Sequence, residues 1–520
     1  MIAKVYSAIP YGYDGQLIEV EGDTSKSLPT FNIVGMANKT ISEARERVRS
    51  AIVNSGFCFP NKKVTINLAP AEVAKDGSHL DLPIALTVLT LSHQLLQSDT
   101  ATKTFAGELS LDGSIKPVRG IINIVETAQQ HGYQEIFVPQ GNLTQAQLVP
   151  HIRVIGVSNL KALVLHLKGI KPILAPPPQS AVVKNTKTDS PTFDDILGQT
   201  FAKRALTIAV AGHHNLLLSG PPGTGKTFLA KAAASLLPPM STAEQISVTK
   251  IYSISGLSDQ IIATRPFRAP HHTSSAIAFI GGGNRATPGE ISLAHHGVLF
   301  LDELPEYSRN ALEALRQPLE DHVVTITRAN AHMRYPANFM LIATMNPCPC
   351  GYLGDPNHEC TCTNYQISTY RKHLSGPILD RIDLCINIER TPYINTVRVK
   401  NTPTGSHHNH APSKLSPTAP SSEHTQAQNL ILQAYANQLK RYQRPDLHNG
   451  HLSSQDISVY VKITQSGRQL LHEASEHLKL STRAYFKVIK IAQTIADLDN
   501  LTEVDAEQIS EALSFRHTIP

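Results

Sequence analysis

Cysteines, long apolar runs and an excess of one charge are all scarce in this sequence. Six cysteines in 520 residues are too few for a secreted scaffold stapled by disulfides. No stretch reaches the roughly 18 consecutive apolar residues of a membrane span, and the first residues lack the apolar core of a signal peptide. We therefore expect a cytoplasmic protein without a membrane-spanning segment.

The charge balance excludes a chain that is basic throughout. Lys and Arg together number 47, and Asp and Glu number 42, so the net charge is +5. Most of this excess falls in residues 171–424. Any contact with a nucleic acid must therefore be local.

Composition divides the chain into three blocks. Hydrophobic residues make up 41% of the chain, which is enough for several cores at roughly 100 to 200 residues per domain. Residues 171–191 and 401–424 are rich in Pro, Ser, Thr and Asn, a composition typical of linkers. We therefore predict domains over residues 1–170, 192–400 and 425–520.

Apolar patterns predict an α/β fold with a helical C-terminal part. In the first block, residues 17–21 and 64–68 read as strands, with helical spacing over 42–54 between them. The middle block alternates short apolar strands with helix-period stretches, a pattern typical of a parallel sheet covered by helices. The last block has helical spacing and no convincing strand.

A glycine-rich loop follows the predicted strand at 216–218 and leads into a helical pattern. Its spacing fits the P-loop, in which backbone N–H groups and the positive end of a helix hold phosphates. In that arrangement Lys226 neutralises the outer phosphates of ATP and Thr227 holds Mg²⁺. The loop consists of Gly220, Pro221, Pro222, Gly223, Thr224, Gly225, Lys226 and Thr227.

Polar residues also follow two other predicted strands of this block. Asp302 and Glu303 end the apolar run 298–301, and Asn346 follows the run 339–343. The carboxyl ends of parallel strands meet at one edge of a sheet, so these side chains should lie near the P-loop. We assign Asp302 to the Mg²⁺ shell, Glu303 to polarising the attacking water and Asn346 to orienting water against the γ-phosphate.

Four further segments carry a family resemblance, at 31–35, 265–272, 288–297 and 375–383. The middle block looks like an AAA+ ATPase of the magnesium-chelatase type. The whole chain resembles the YifB/ComM family of bacterial competence-associated, chelatase-like proteins. The resemblance implies a P-loop AAA+ domain between a Lon-protease-like α/β domain and an all-α lid. It also implies a ring, usually a hexamer, that binds ATP between its subunits.

The resemblance assigns roles to two arginines. In such rings an arginine of the neighbouring subunit completes the ATP site, because it stabilises charge that develops on the γ-phosphate. Arg381 is similar to that arginine finger by its motif at 379–383, and Arg483, in 481–484, resembles the sensor arginine of a lid. An ordinary surface ion pair is the alternative for either residue.

Candidate DNA contacts fall in two parts of the middle block. Arg265 and Arg268 lie in a long segment between the P-loop and the acidic pair, which we expect to be a mobile loop that meets phosphates. Residues 323–335 read as a hairpin that carries Arg328 and Arg334. In related ring motors such a hairpin points into the pore. A solvated hairpin tip is the alternative.

Four of the six cysteines form two Cys-x-Cys pairs on one Gly- and Pro-containing loop. Four thiolates in such a short loop can close a tetrahedral Zn²⁺ site, and we expect structural zinc beside the Asn346 strand. Reduced thiols or a redox pair are the alternatives. The cysteines are Cys348, Cys350, Cys360 and Cys362.

The first block resembles a Lon-type protease domain in segments 75–81 and 107–122. Lon-type proteases activate a serine with a lysine. Matching the motifs places His79 at the serine position and Ile122 at the lysine position, with Ser78 one residue away. We therefore predict an inactive, structural domain.

The function that the resemblance implies is ATP-driven translocation along DNA without sequence preference. In the family this means a hexameric helicase that promotes branch migration on single-stranded or branched DNA, in the recombination of imported DNA during natural transformation. Two alternatives remain open. One is the ATPase subunit of a complex that inserts Mg²⁺ into a tetrapyrrole, and the other is a chaperone that remodels proteins. ATPase stimulation by DNA, by a porphyrin-loaded partner or by unfolded protein separates them.

Overall fold

The computed structural model describes most of the chain. The described residues are 2–35, 39–73, 75, 77–175, 191–258, 260–283, 286–328, 331–374, 376–390 and 422–516. Residues 176–190 of the first predicted linker and 401–421 of the second lie outside them, as do residues 391–400 of the predicted middle domain. No helix within the described part of the chain is long and apolar enough to cross a bilayer.

Among its described residues, the N-terminal region contains nine strands and five α-helices. The strands are β1 (Ile2–Tyr11), β2 (Asp14–Ser25), β3 (Thr30–Val34), β4 (Lys63–Ala69), β5 (Lys103–Phe105), β6 (Glu108–Leu109), β7 (Ile115–Lys116), β8 (Glu135–Pro139) and β9 (Arg153–Val157). The helices are α1 (Lys39–Asn54), α2 (Asp81–Leu91), α3 (Ile121–Gln130), α4 (Leu143–Ala146) and α5 (Leu160–Leu167).

A mixed seven-stranded sheet organises this region, in the order β3-β4-β2-β1-β5-β8-β9. Because neighbouring side chains of a strand point to opposite faces, β1 contributes to two cores. Val5 packs with the fully buried helix α2, whereas Ala8 packs with α3. The strands predicted at 17–21 and 64–68 lie in β2 and β4, and the predicted helix is α1.

The central region forms around a second sheet. The strands of the whole central region are β10 (Leu216–Ser219), β11 (Phe267–Arg268), β12 (Gly281–Gly282), β13 (Thr287–Pro288), β14 (Val298–Leu301), β15 (Val323–Arg328), β16 (Ala331–Pro336), β17 (Met340–Met345) and β18 (Leu384–Asn387). Its helices are α6 (Thr200–Gly212), α7 (Lys226–Leu236), α8 (Thr242–Ser255), α9 (Ala276–Ile280), α10 (Glu290–Leu293), α11 (Arg309–Ala314), α12 (Arg316–Asp321), α13 (Asn364–Lys372) and α14 (Gly376–Leu379).

The central sheet has five strands in the order β11-β14-β17-β10-β18, and all four of its ladders are parallel. Every residue of β14 and β17 is buried, as expected for strands covered on both faces. Ser219 pairs with Met345, and Leu301 pairs with Ala343. This register brings the carboxyl ends of β10, β14 and β17 to one edge, and it confirms the predicted α/β fold.

The C-terminal region is helical, as predicted. Its helices are α15 (Glu423–Tyr442), α16 (Ser454–Tyr460), α17 (Gln465–His477), α18 (Thr482–Leu498) and α19 (Ala506–Ser514). Helices α15 and α18 pack against α6, so Leu206 shares one hydrophobic core with Ile431 and Val488. The helical region is therefore built onto the central sheet domain.

Helix α8 connects the N-terminal and central regions. The Lys250 ammonium pairs with Glu126 of α3 and lies 4.0 Å from the ring centroid of Tyr13. The hydroxyls of Tyr13 and Ser247 are 2.8 Å apart, and the backbone N–H of Gly120 donates to Ser253 Oγ at 2.9 Å. The segment between the P-loop helix and the acidic strand thus docks the N-terminal region.

Candidate nucleotide-binding site

The loop between β10 and α7 has the backbone that a P-loop requires. Gly225 has φ +82°, a left-handed conformation that favours glycine, and it directly precedes α7. At Gly220, a Cβ atom would lie 2.4 Å from the carbonyl oxygen of Ile388 in the segment that follows β18. The glycines therefore allow the turn and the close approach of two backbones.

Lys226 joins this loop to the end of β17. Its Nζ donates to the carbonyl oxygens of Gly220 at 2.6 Å and Pro221 at 2.9 Å, and to Asn346 Oδ1 at 3.1 Å. Burial lowers the pKa of Lys226 to about 8, although Asp302 and Glu303 act in the opposite direction. The structure therefore brings Asn346 to the P-loop lysine, as its position after β17 predicts.

Thr227 and Asp302 present adjacent oxygen atoms beside the loop. The Thr227 hydroxyl donates to Asp302 Oδ2 at 3.0 Å, and the other carboxylate oxygen of Asp302 accepts a hydrogen bond from Thr344. A hydroxyl and a carboxylate are the hard oxygen donors that Mg²⁺ prefers. These residues therefore fit a Mg²⁺ ion bound together with a nucleotide.

The side chain of Glu303 is exposed, and its backbone is strained. Its φ is +53°, a left-handed conformation that costs an L-residue about 1–2 kcal/mol. Its backbone N–H donates to Thr344 Oγ1 at 3.0 Å. Such strain persists where the surroundings fix it, and it concentrates at functional sites.

Thr344 is the site residue that our strand-end reasoning missed. Its buried hydroxyl accepts from the Glu303 backbone and donates to the Asp302 carboxylate. It thereby fixes both acidic residues relative to β17. The sequence did contain a signal, because Thr344 is the one hydroxyl residue in the buried strand Met340–Met345.

Arg381 and Arg483 meet at Glu320, beside a cavity whose lining residues do not include the phosphate loop 220–227. Glu320 Oε1 lies 2.5 Å from an Arg381 guanidinium nitrogen and 3.5 Å from one of Arg483. Arg381 also donates to the carbonyl of Pro377 at 2.6 Å, and its side chain is only 8% exposed. Together with Asp380 they line a cavity of about 400 Å³ between the central and helical regions.

The structure corrects the expected placement of Arg265 and Arg268. Arg265 pairs with Glu244 at 2.9 Å and donates to the carbonyl of Pro238, and its side chain is 11% exposed. Arg268 lies in β11 of the central sheet, and both of its donating nitrogens are 2.7 Å from Glu290. Both guanidinium groups are therefore occupied by carboxylates, and neither lies on a free loop.

The predicted hairpin forms from β15 and β16, with Thr325 opposite Arg334. Arg334 is exposed. Arg328 ends β15, and its side chain lies outside what the structure describes, as do residues 329–330 of the turn. The hairpin therefore presents at least one solvent-facing arginine.

The four clustered cysteines converge, as their spacing predicts. The Cys348 Sγ lies 3.3 Å from that of Cys350 and 3.7 Å from that of Cys360, and the last two are 3.6 Å apart. The Cys350 backbone N–H donates to Cys362 Sγ at 3.3 Å. All four sulfur atoms lie within 4.8 Å of one another, an arrangement that a tetrahedral metal ion can occupy.

In the N-terminal region, Ser78 and the nearby Lys75 have separate partners. The Ser78 hydroxyl donates to Glu108, whereas the Lys75 ammonium donates to the carbonyl of Pro70. His79 and Ile122 are buried. Ser78 and Lys75 are therefore not paired with each other, and the loss of protease activity stays a prediction.

Sequence profiles of magnesium chelatase match consecutive parts of the chain. The profile described as magnesium chelatase, subunit ChlI, matches residues 192–396. A second ChlI profile matches residues 20–142, and the profile of the ChlI C-terminal part matches residues 421–516.

Individual relatives extend over the whole chain. Competence protein ComM of Haemophilus influenzae is 39% identical over 521 residues, which covers 99% of this chain and 97% of that protein. YifB of Escherichia coli, whose function is uncharacterised, is 39% identical over the same shares of the two chains. The magnesium-chelatase 67 kDa subunit of Heliobacterium mobile is 28% identical over 29% of this chain and 27% of its own.

Proposed function

The chain belongs to the YifB/ComM family of magnesium-chelatase-like ATPases, and from this membership we propose that it is a ring-forming DNA translocase. ATP hydrolysis between the subunits of a hexamer drives movement along single-stranded or branched DNA. The biological step is branch migration during the recombination of imported DNA in natural transformation. The arrangement of Lys226, Asp302 and Asn346 at one sheet edge carries the proposal.

Each residue of that edge has a role in hydrolysis. Lys226 binds the outer phosphates, and Thr227 and Asp302 hold Mg²⁺, which supplies charge neutralisation on the phosphates. The exposed Glu303 carboxylate polarises the attacking water, and Asn346 orients that water.

Arg381 and Arg483 are placed for an ATP site that a second copy of the chain completes. Arg381 and Arg483 line a cavity whose lining residues do not include the phosphate loop 220–227, so we assign Arg381 to the nucleotide of a neighbouring subunit and Arg483 to the sensor of the lid. Glu320 holds both guanidinium groups until a more negative partner, the γ-phosphate, replaces it. Hydrolysis then depends on assembly.

DNA contact is assigned to the β15–β16 hairpin, with Arg334 as its described phosphate contact and Arg328, three residue pairs further along at the turn, as the second candidate. Arg265 and Arg268 are left out because carboxylates occupy both. The four-cysteine cluster binds structural Zn²⁺. The N-terminal region is an inactive, protease-like layer.

The test measures ATP hydrolysis by the purified full chain with and without a forked or four-way DNA junction. We expect stimulation by DNA and conversion of the labelled junction to its branch-migration products. Glu303→Gln should bind nucleotide and assemble normally but neither hydrolyse ATP nor move the junction. Arg334→Ala should reduce the salt dependence of DNA affinity by about one unit of slope. If the chain hydrolyses ATP but DNA does not stimulate the hydrolysis, the proposal is wrong.

Insertion of a metal into a tetrapyrrole is the second candidate, since the chelatase profiles match all three regions. The named chelatase subunit of Heliobacterium, however, covers 29% of the chain, against 99% for ComM. Stimulation of hydrolysis by a porphyrin-loaded partner, with no response to DNA, would favour this candidate.

A further inference from the structure

The four-cysteine loop is attached to the nucleotide site at two points. Cys348 comes two residues after Asn346, which accepts a hydrogen bond from Lys226. Further along, Gly351 lies directly against Pro222 of the phosphate loop. The four-cysteine loop therefore connects Asn346, which contacts Lys226, with the phosphate loop at Pro222.

The contact at Gly351 leaves no room for a side chain. A Cβ atom there would lie 2.8 Å from Pro222 Cδ and 3.8 Å from Asn346 Cγ. Gly351 also has φ +86°, a left-handed conformation that other residues adopt at a cost. A small shift of this turn would therefore displace Pro222 or Asn346.

Apart from its cysteines, the described loop is held by few contacts, among them one ion pair with a buried carboxylate. Residues 347–363 contain neither a helix nor a strand, and Cys348 and Gly351 are its buried residues. Asp355 pairs with Arg390 at 3.1 Å, and Tyr352 stacks on His358 with ring centroids 4.9 Å apart. Without a core of its own, a loop of this length depends on cross-links for its order.

We infer that Zn²⁺ bound by the four cysteines positions the phosphate loop for nucleotide binding. The four thiols lose their protons to solvent, and four Zn–S bonds replace them without any change of oxidation state. The bound ion fixes the Gly351 turn against Pro222, and the short connection from Cys348 fixes Asn346 beside Lys226. The inference rests on the zinc assignment of the proposed function and adds a role for the metal in that same site.

The experiment combines zinc content with nucleotide affinity in the full chain. Zinc is measured by mass spectrometry after purification without added metal, and affinity by the fluorescence of a labelled ATP analogue. We expect about one zinc per chain. Cys360→Ser should lose zinc and bind nucleotide about tenfold more weakly. Cys58→Ser, an exposed cysteine outside the cluster, is the matched control and should change neither quantity.

A second variant separates metal binding from positioning. Gly351→Ala keeps all four ligands, so it should retain zinc yet still bind nucleotide about tenfold more weakly. Its zinc content and circular dichroism show that the protein has folded. Removing zinc with a chelator should weaken nucleotide binding in the unmodified chain, and adding zinc back should restore it.

The outcomes distinguish this inference from the translocase proposal. If the purified chain contains no zinc, the metal assignment is wrong. Zinc that can be removed with no change in nucleotide affinity, or normal affinity in Gly351→Ala, overturns the positioning role. If instead nucleotide binding depends on zinc but DNA does not stimulate hydrolysis, the inference stands and the DNA proposal fails.

Discussion

The most direct test of the site uses pH, because burial lowers the pKa of Lys226 to about 8. Burial disfavours its charged form, and the negative phosphates of a bound nucleotide favour it. Binding should therefore take up a proton wherever the free ammonium is partly deprotonated. Affinity should fall as the pH rises above the pKa of Lys226.

The magnitude follows from that pKa. At pH 8 about half of the Lys226 side chains are neutral, so binding should take up about half a proton per site. Between pH 7 and pH 9 the charged fraction falls about tenfold. The dissociation constant should rise by the same factor, equivalent to about 1.4 kcal/mol of binding free energy.

The assay is isothermal titration calorimetry with a non-hydrolysable ATP analogue in two buffers of different ionisation enthalpy at pH 8. The difference in apparent enthalpy gives the number of protons taken up. Lys226→Arg is the control, because a guanidinium stays charged throughout this range. Equal enthalpies in both buffers, with an affinity that does not change up to pH 9, would refute the reasoning.

Three other predictions concern separate parts of the structure. Arg381→Ala should assemble and bind nucleotide but hydrolyse ATP on the order of 10³-fold more slowly, and an unchanged turnover rate would contradict the finger role. Thr344→Val removes the hydroxyl that hydrogen-bonds to both acidic residues, so Asp302 should hold Mg²⁺ less well. The Mg²⁺ concentration that gives half-maximal ATPase activity should therefore rise in a magnesium titration. Asp497→Ala leaves the Arg441 guanidinium without its buried carboxylate and should lower the free energy of unfolding by about 3–5 kcal/mol. In the same unfolding measurement, Asp499→Ala should cost less than about 1 kcal/mol, because its pair with the half-buried Arg204 is 3.4 Å long and Arg204 keeps Glu511 as a closer partner at 2.8 Å.

The phosphate edge could be predicted from sequence because each of its parts is local. One apolar run leads into the glycine-rich loop with Lys226, two others are followed by Asp302 and by Asn346, and parallel strands bring these ends together. Lys226, Asp302 and Asn346 therefore lie together as expected. The cysteines also converge, since one short loop carries all four.

What the sequence did not reveal depends on partners that are distant in the chain. Arg265 and Arg268 look like free cations until the fold brings Glu244 and Glu290 to them. The meeting of Arg381 with Glu320, on the helix before the hairpin, likewise has no local pattern. Spacing reports which face or strand end a residue occupies, but not which charge from another element neutralises it.

The left-handed backbone at Glu303 has a consequence for how the family can vary. Glycine would relieve the unfavourable dihedral angle there, so Glu303→Gly removes a conformational penalty of about 1–2 kcal/mol. The same change deletes the carboxylate that the proposed chemistry requires. Selection of variants for thermal stability alone should enrich glycine at this position, whereas selection for ATP hydrolysis should keep the glutamate.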